Sequence, residues 1–152
     1  MAKFFTLAFK TPVNFSELTA REAQAMGLAQ DSNTLTLCDK KRGSMLSLAH
    51  KKSGLLGAIA DERAMRIRLK RDYQKLYPEI EEPVDFDLEV AGKTRCGFGF
   101  RYKSTKGNFY SEVVSIAAKK HIYTITSSSS YRDKDATHRV LMKLLNSIEI
   151  DE

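Results

Sequence analysis

Alternating hydrophobic and polar positions dominate the last third of the chain. In the first of these segments Phe98 and Phe100 share one face and Gly97 and Gly99 the other, which is the two-residue period of a β-strand. Two more segments follow after short polar turns, so the pattern predicts an antiparallel meander. The three predicted strands cover residues 94–103, 108–118 and 121–127.

Helical spacing of apolar residues follows the meander, over residues 136–146. Asp133 and Asp135 precede this segment, where carboxylates cap free amides and oppose the positive end of the helix dipole. We therefore expect the helix to pack one side against the meander. The four serines at 127–130 are interpreted as a solvated connection between strand and helix. The apolar side of the helix carries Val140, Leu141, Leu144, Leu145 and Ile148.

The N-terminal part of the chain predicts one short strand and one helix. Residues 3–10 alternate as a strand does, and the helix begins after a cap at Asn14 or Ser16. Gly27 is expected to end this helix because glycine readily adopts the left-handed conformation found after helix C-termini.

A hairpin is predicted next, from residues 33–39 and 44–50, around the basic turn 40–43. Three consecutive basic residues in this turn are a candidate anion contact. Lysines at a solvated loop tip are the simpler interpretation.

The longest helical pattern covers residues 55–77 and carries an apolar stripe between two rows of basic residues. Helices of this kind bind membrane surfaces, acidic proteins or nucleic acids, and plain surface helices share the pattern. The rows contain Arg63, Arg66 and Lys70 on one side and Arg68, Arg71 and Lys75 on the other. The candidate binding residues are Arg63, Arg66, Lys70 and Arg71.

Charge is distributed unevenly along the chain, although the net charge is only +6. Residues 39–75 contain eleven bases and four acids, whereas residues 76–92 contain six acids and no base. This polarity favours a charged partner. It leaves open a second outcome, in which the basic helix pairs with the acidic segment 79–89 of its own chain.

Length and composition indicate an ordinary globular protein. A chain of 152 residues with 42% hydrophobic and 29% charged residues can bury a core, so we expect one domain over residues 1–152. No apolar run reaches the roughly 18 residues that span a bilayer, and the chain is expected to be cytoplasmic. Cys38 and Cys96 match no metal-ligand spacing and are interpreted as reduced core thiols.

Catalytic motifs are not apparent in the sequence. His50, His121 and His138 lie in separate elements without a recognised spacing to a carboxylate or a thiol. The glycines at 97 and 99 lie inside a strand, where they favour close packing of a ring or helix over a ligand groove. The sequence therefore predicts a non-enzymatic protein with no metal and no cofactor.

The order of elements resembles the PsbP-type domain, which is shared with the Ran-binding Mog family. The resemblance in amino-acid sequence rests on residues 123–150, YTITSSSSYRDKDATHRVLMKLLNSIEI. The resemblance in the order of helices and strands covers most of the chain. It implies an α+β fold in which an antiparallel sheet of about six strands lies between helices. It also implies an accessory or binding role and supplies no ligand residues.

We therefore expect an accessory or protein-binding module, whose partner is a protein with a candidate acidic surface. The alternative is a protein that binds nucleic acid or another acidic surface through the helix 55–77. Only Tyr73 and Tyr77 lie near the basic rows, so base stacking on aromatic rings is disfavoured.

Overall fold

The computed structural model describes residues 1–28, 31–53, 61–77 and 79–151, and of Glu82 only the backbone. This part of the chain contains ten strands and three helices. The strands are β1 (Ala2–Phe4), β2 (Leu7–Phe9), β3 (Ser16–Glu17), β4 (Thr34–Asp39), β5 (Ser44–Lys52), β6 (Glu81–Val90), β7 (Lys93–Ser104), β8 (Gly107–Ala118), β9 (His121–Ser130) and β10 (Glu149–Ile150). The helices are α1 (Ala20–Ala25), α2 (Glu62–Leu76) and α3 (Lys134–Asn146).

Seven strands form one antiparallel sheet in the order β3-β4-β5-β9-β8-β7-β6. The predicted meander is its β7-β8-β9 part, in which Phe98 lies opposite Val113 and Val113 opposite Thr126. The α+β class and the antiparallel sheet are confirmed. Among the described residues the main sheet has seven strands where about six were predicted, and three short strands form a second sheet, β1-β2-β10.

Helices cover both faces of the main sheet. Adjacent residues of β8 point to opposite faces, so its apolar residues contact a helix on each side. Val113 belongs to a cluster against which Leu69 and Tyr73 of α2 pack. Val114 lies on the other face, in a larger core that it shares with Leu141 of α3. The predicted sandwich of helix, sheet and helix is thus confirmed.

The small second sheet closes the α3 side of the core. The expected single strand over residues 3–10 is instead a hairpin, since Phe5 adopts a φ of 54° and reverses the chain between β1 and β2. The turn is held by the backbone N–H of Thr6, which donates to the Tyr123 hydroxyl at 3.0 Å. Leu7 and Phe9 are fully buried in the core as a result.

The prediction of a solvated serine connection is wrong. Strand β9 continues through Ser130, and Ser127 and Ser129 are buried on the inward face. Burial is tolerated because these hydroxyls find partners: Ser127 accepts from the backbone N–H of Glu112 at 3.2 Å, and Ser129 donates to the carbonyl of Ser130.

Helix α1 begins later than predicted. Ser16 belongs to β3, and the cap is Thr19, which forms a reciprocal capping box with Glu22. Capping preference alone could not choose among several candidate residues. Gly27 follows the end of the helix with a φ of +71°, as expected.

Helix α2 is shorter than the predicted 55–77. It begins at Glu62 after a cap at Asp61 and ends at Leu76, while residues 55–60 of the prediction lie outside the described residues. The acidic segment that follows is largely strand, because β6 already begins at Glu81.

Candidate functional site

Two of the four candidate basic residues are held by acidic residues of the neighbouring strand. Arg66 Nη1 lies 2.8 Å from Asp87 Oδ1, and Lys70 Nζ lies 2.9 Å from Asp85 Oδ1. Arg66 also donates to the carbonyl oxygen of Phe86 at 3.2 Å. The acidic face of β6 therefore neutralises these two cations and fastens α2 to the sheet, the second outcome that the sequence left open.

The other two candidates, Arg63 and Arg71, are exposed and form no ion pair within the described part of the chain. They lie four residues either side of Ile67, so the three side chains share one face of α2. Ile67 is 60% exposed. We call these three residues the outer row. A binding role for the four candidates stays a prediction.

A buried ion pair fixes the N-terminal end of α2. Arg95 is only 2% exposed, and its Nη1 donates to Glu62 Oε1 and to the carbonyl oxygen of Ala117, both at 3.0 Å. Its Nε donates to the carbonyl oxygen of Val90 at 3.2 Å. Burial raises the pKa of Glu62, and the nearby Arg95 charge opposes that rise. The outer row is thus presented on a helix anchored at its start and along one side.

A histidine and a carboxylate that are far apart in sequence meet beneath α3. His138 Nδ1 lies 2.8 Å from each carboxylate oxygen of Glu112, whose side chain is buried on the inward face of β8. Burial raises the pKa of Glu112, and the hydrogen bond from His138 opposes this. The sequence analysis missed the pair. The available signal was a carboxylate on the same face as Val114 in an interior strand.

This arrangement orients an imidazole as the carboxylate does in many general-base sites. A nucleophile would have to lie within hydrogen-bonding distance of the other ring nitrogen. Among the described residues no serine, threonine or cysteine side chain makes that contact with His138. The dyad holds α3 on β8.

The other two histidines also form a pair that spacing did not reveal. His50 Nε2 lies 2.7 Å from His121 Nδ1, since β5 and β9 run side by side. The ring of Phe5 stacks on His50 with centroids 3.7 Å apart. Burial lowers the pKa of His50, and the neighbouring His121 adds to this. The pair joins the turn of the small sheet to the main sheet.

Aromatic rings pack directly against the two strand glycines, Gly97 and Gly99, which is the close packing that the sequence favoured. A Cβ on Gly97 would lie 2.7 Å from two ring carbons of Phe86, and one on Gly99 would collide with the hydroxyl of Tyr110. Burial of Tyr110 raises the pKa of its hydroxyl to about 12, with the Glu112 charge adding to the effect. The space above these glycines is occupied by side chains of the protein itself.

Within the described residues, no group of three or more histidine, cysteine or acidic side chains could hold a metal ion. Cys38 and Cys96 are both buried and free. None of the described helices combines the length and the apolar character needed to cross a membrane.

Comparisons with known proteins show that solved structures share this architecture. No family model and no curated protein sequence matches the chain. The Saccharomyces cerevisiae Ran-binding protein Mog1p shares the fold with a TM-score of 0.64 and 8% identity, over 95% of this chain and 90% of Mog1p. Cyanobacterial PsbP (CyanoP) from Synechocystis sp. PCC 6803 gives a TM-score of 0.63 and 11% identity, over 96% of this chain and 87% of CyanoP.

A crystal structure of a Bacteroides thetaiotaomicron protein matches with a TM-score of 0.64 and 7% identity over 97% of this chain. The match covers 46% of that protein, so the chain spans about half its length. Identities this low show the fold alone. The fold predicted from the resemblance, that of PsbP and the Mog proteins, is confirmed.

Proposed function

We propose that the protein is a non-enzymatic binding module that docks a protein partner on the outer row of α2. The observation that carries the proposal is an exposed isoleucine flanked on one helix face by two arginines without ion-pair partners in the described part of the chain. The fold supports a binding role, because a protein described as Ran-binding has the same architecture.

The chemistry of the outer row indicates what the partner offers. Arginine side chains bind carboxylates in a forked geometry, and an exposed isoleucine gains free energy when an apolar pocket covers it. Interfaces of this kind take most of their affinity from a few arginine and apolar residues. The expected partner surface is a shallow apolar depression between acidic side chains.

Arg66 and Lys70 support this surface indirectly. Their ion pairs with β6, together with the packing of Tyr73 on Phe98 and Phe100, hold α2 in one orientation. A rigid helix loses little entropy on binding, which favours affinity. Because these two cations are already paired, α2 offers a phosphate backbone fewer free charges than its sequence suggests, which weighs against nucleic acid.

The test uses site-specific crosslinking followed by reversal of charge. A photoreactive amino acid replaces Ile67, and in a matched control it replaces Lys106, an exposed residue in the β7-β8 turn. The proposal expects one protein to be captured from position 67 and not from position 106. Binding of that purified protein is then measured with wild type and with an Arg63→Glu, Arg71→Glu double variant.

The double variant should bind at least roughly tenfold more weakly, because two central contacts become repulsive. Its urea midpoint should be unchanged, since exposed charges contribute little to folding. Equal affinity of variant and wild type would overturn the proposal. If DNA or RNA is the bound species and the logarithm of its binding constant falls linearly with the logarithm of salt concentration, the nucleic-acid alternative is favoured.

A further inference from the structure

A second cluster of basic residues lies far from α2 in sequence, where the β4-β5 turn meets the outer side of α3. It surrounds an open cavity of about 260 Å³. Arg42 comes from the turn, and Arg139 and Lys143 lie four residues apart on α3. The fold thus brings three cationic side chains to one cavity from two separate elements.

The lining of this cavity also contains small polar groups. Ser44 and Thr137 are 3% and 4% exposed, and the 3.4 Å separation of their hydroxyl oxygens is long for a hydrogen bond between hydroxyls. The side chain of Asn14 completes this part of the lining. Hydroxyl and amide groups next to cations are the usual donors to an oxyanion.

The charges in the cavity are not balanced by the protein itself. Asp39 is the one acidic residue among those that line the cavity, and its Oδ1 accepts from the backbone N–H groups of Lys41 and Arg42 at 3.1 and 3.4 Å. Three cations and one carboxylate leave a net charge of two positive units. Neither Arg42 nor Arg139 nor Lys143 forms an ion pair with any described residue.

We propose that this cavity binds a phosphate group. A phosphate monoester carries close to two negative charges at neutral pH, which matches the net charge of the cavity. The two guanidinium groups can each donate two hydrogen bonds, Lys143 adds a point charge, and the buried hydroxyls face the remaining oxygens. A cavity of this volume accommodates a phosphate together with part of the molecule that carries it.

Two sources supply this chemistry, a soluble phosphomonoester and the headgroup of an anionic phospholipid. The first arm of the test is titration calorimetry with glycerol 3-phosphate, with acetate as the singly charged comparison. The second arm is co-sedimentation with vesicles that contain phosphatidic acid, compared with vesicles of phosphatidylcholine alone. Backbone amide NMR shifts of residues 41–43 and 136–143 report whether the ligand occupies this cavity.

The test variant is Arg42→Gln with Arg139→Gln, and the matched control is Arg21→Gln with Arg68→Gln. Both lose two exposed arginines, so both change the net charge equally. We expect the test variant to bind glycerol 3-phosphate, or vesicles that contain phosphatidic acid, at least roughly a hundredfold more weakly than wild type. This corresponds to about tenfold for each charged hydrogen-bonding group that is lost. The control should bind as wild type does.

Binding in the first arm identifies a soluble phosphomonoester, and binding in the vesicle arm alone identifies a headgroup; both support the proposal when the test variant loses them. An equal loss in test and control variants would overturn it, since attraction would then follow net charge. Absence of binding in both arms, or equal affinity for acetate, would overturn it as well. The outer row is intact in the test variant, so failure here is separate from failure of the proposed protein docking.

Discussion

His138 on α3 contacts both carboxylate oxygens of the buried Glu112 on β8, each at 2.8 Å. An ionised carboxylate only accepts hydrogen bonds, so the imidazole supplies the proton from Nδ1. A helix on the surface of the sheet is thereby tied to an interior strand by one side chain. Removing that side chain would leave a buried carboxylate without this partner.

His138→Ala should therefore destabilise the protein by about 1–3 kcal/mol, the usual cost of leaving a buried polar group unpaired. In a Glu112→Gln background the same substitution should cost less, because a neutral amide is cheaper to bury than a carboxylate. Urea denaturation of the four proteins of this double-mutant cycle measures the coupling. Strictly additive effects would contradict a direct interaction between the two residues.

The same carboxyl predicts a pH dependence of stability. Burial raises the pKa of Glu112 above the ordinary value of 4.5, so the folded protein binds this proton more tightly than the unfolded chain. The stability it contributes is complete below pH 4.5 and is lost as pH rises through the folded pKa. We expect the unfolding free energy of wild type, minus that of Glu112→Gln, to decrease as pH rises from 4.5 through the folded pKa of Glu112. An increase would mean that the bond from His138 outweighs burial.

Removal of leucines from α3 should affect stability strongly. Leu141 and Leu144 are fully buried in the core between α3 and the main sheet, so either Leu→Ala substitution should cost about 2–5 kcal/mol. Leu76 at the end of α2 is 71% exposed and provides the control, with little change expected. Denaturant midpoints of the three variants test this. A similar small shift in all three would contradict the packing of α3 on the sheet.

Periodic patterns predicted the parts of this fold in which one period persists over many residues. The meander and the apolar side of α3 were recognised because Phe98, Phe100 and the leucines repeat at the spacing of strand or helix. The same reasoning failed for the serines at 127–130. Their composition predicted a solvent-exposed connection, whereas hydrogen bonds inside the sheet permit burial.

The candidate sites were harder to predict, because they depend on contacts between distant segments. The sequence identified basic rows on the helix but could not decide which bases the acidic strand would neutralise; the pairing of Arg66 with Asp87 settles one of them. Glu112 and His138 are separated by a turn, a strand and a helix start, so no local spacing links them. The cavity beside Arg42 and Arg139 also forms between two segments that are distant in sequence.

Tight packing above a strand glycine gives another prediction. A methyl group on Gly97 would lie 2.7 Å from ring carbons of Phe86 and 2.8 Å from the carbonyl oxygen of Val113. Gly97→Ala should therefore destabilise by about 1–3 kcal/mol through overpacking. Phe86→Leu in the same chain should restore part of the loss, while the contact with the backbone oxygen remains. Thermal unfolding of the single and double variants measures this. A neutral Gly97→Ala would show that the ring is free to move away.

The buried pair of Arg95 and Glu62 should show an asymmetry between its two members. Arg95→Ala removes the donor to two backbone carbonyls and leaves Glu62 as an uncompensated charge, so it should cost about 3–5 kcal/mol. Glu62→Gln should cost less, because Arg95 keeps its bonds to Val90 and Ala117 and the amide oxygen still accepts.

Replacement of both members by apolar residues, Glu62→Leu with Arg95→Met, should cost less than Arg95→Ala alone, since neither charge is then left buried. Lys93→Ala, an exposed base two residues away on the same strand, is the control and should be nearly neutral. Urea unfolding followed by circular dichroism gives the four free energies. A double variant less stable than Arg95→Ala would contradict the expectation that the uncompensated charge of Glu62 is the main cost of removing Arg95.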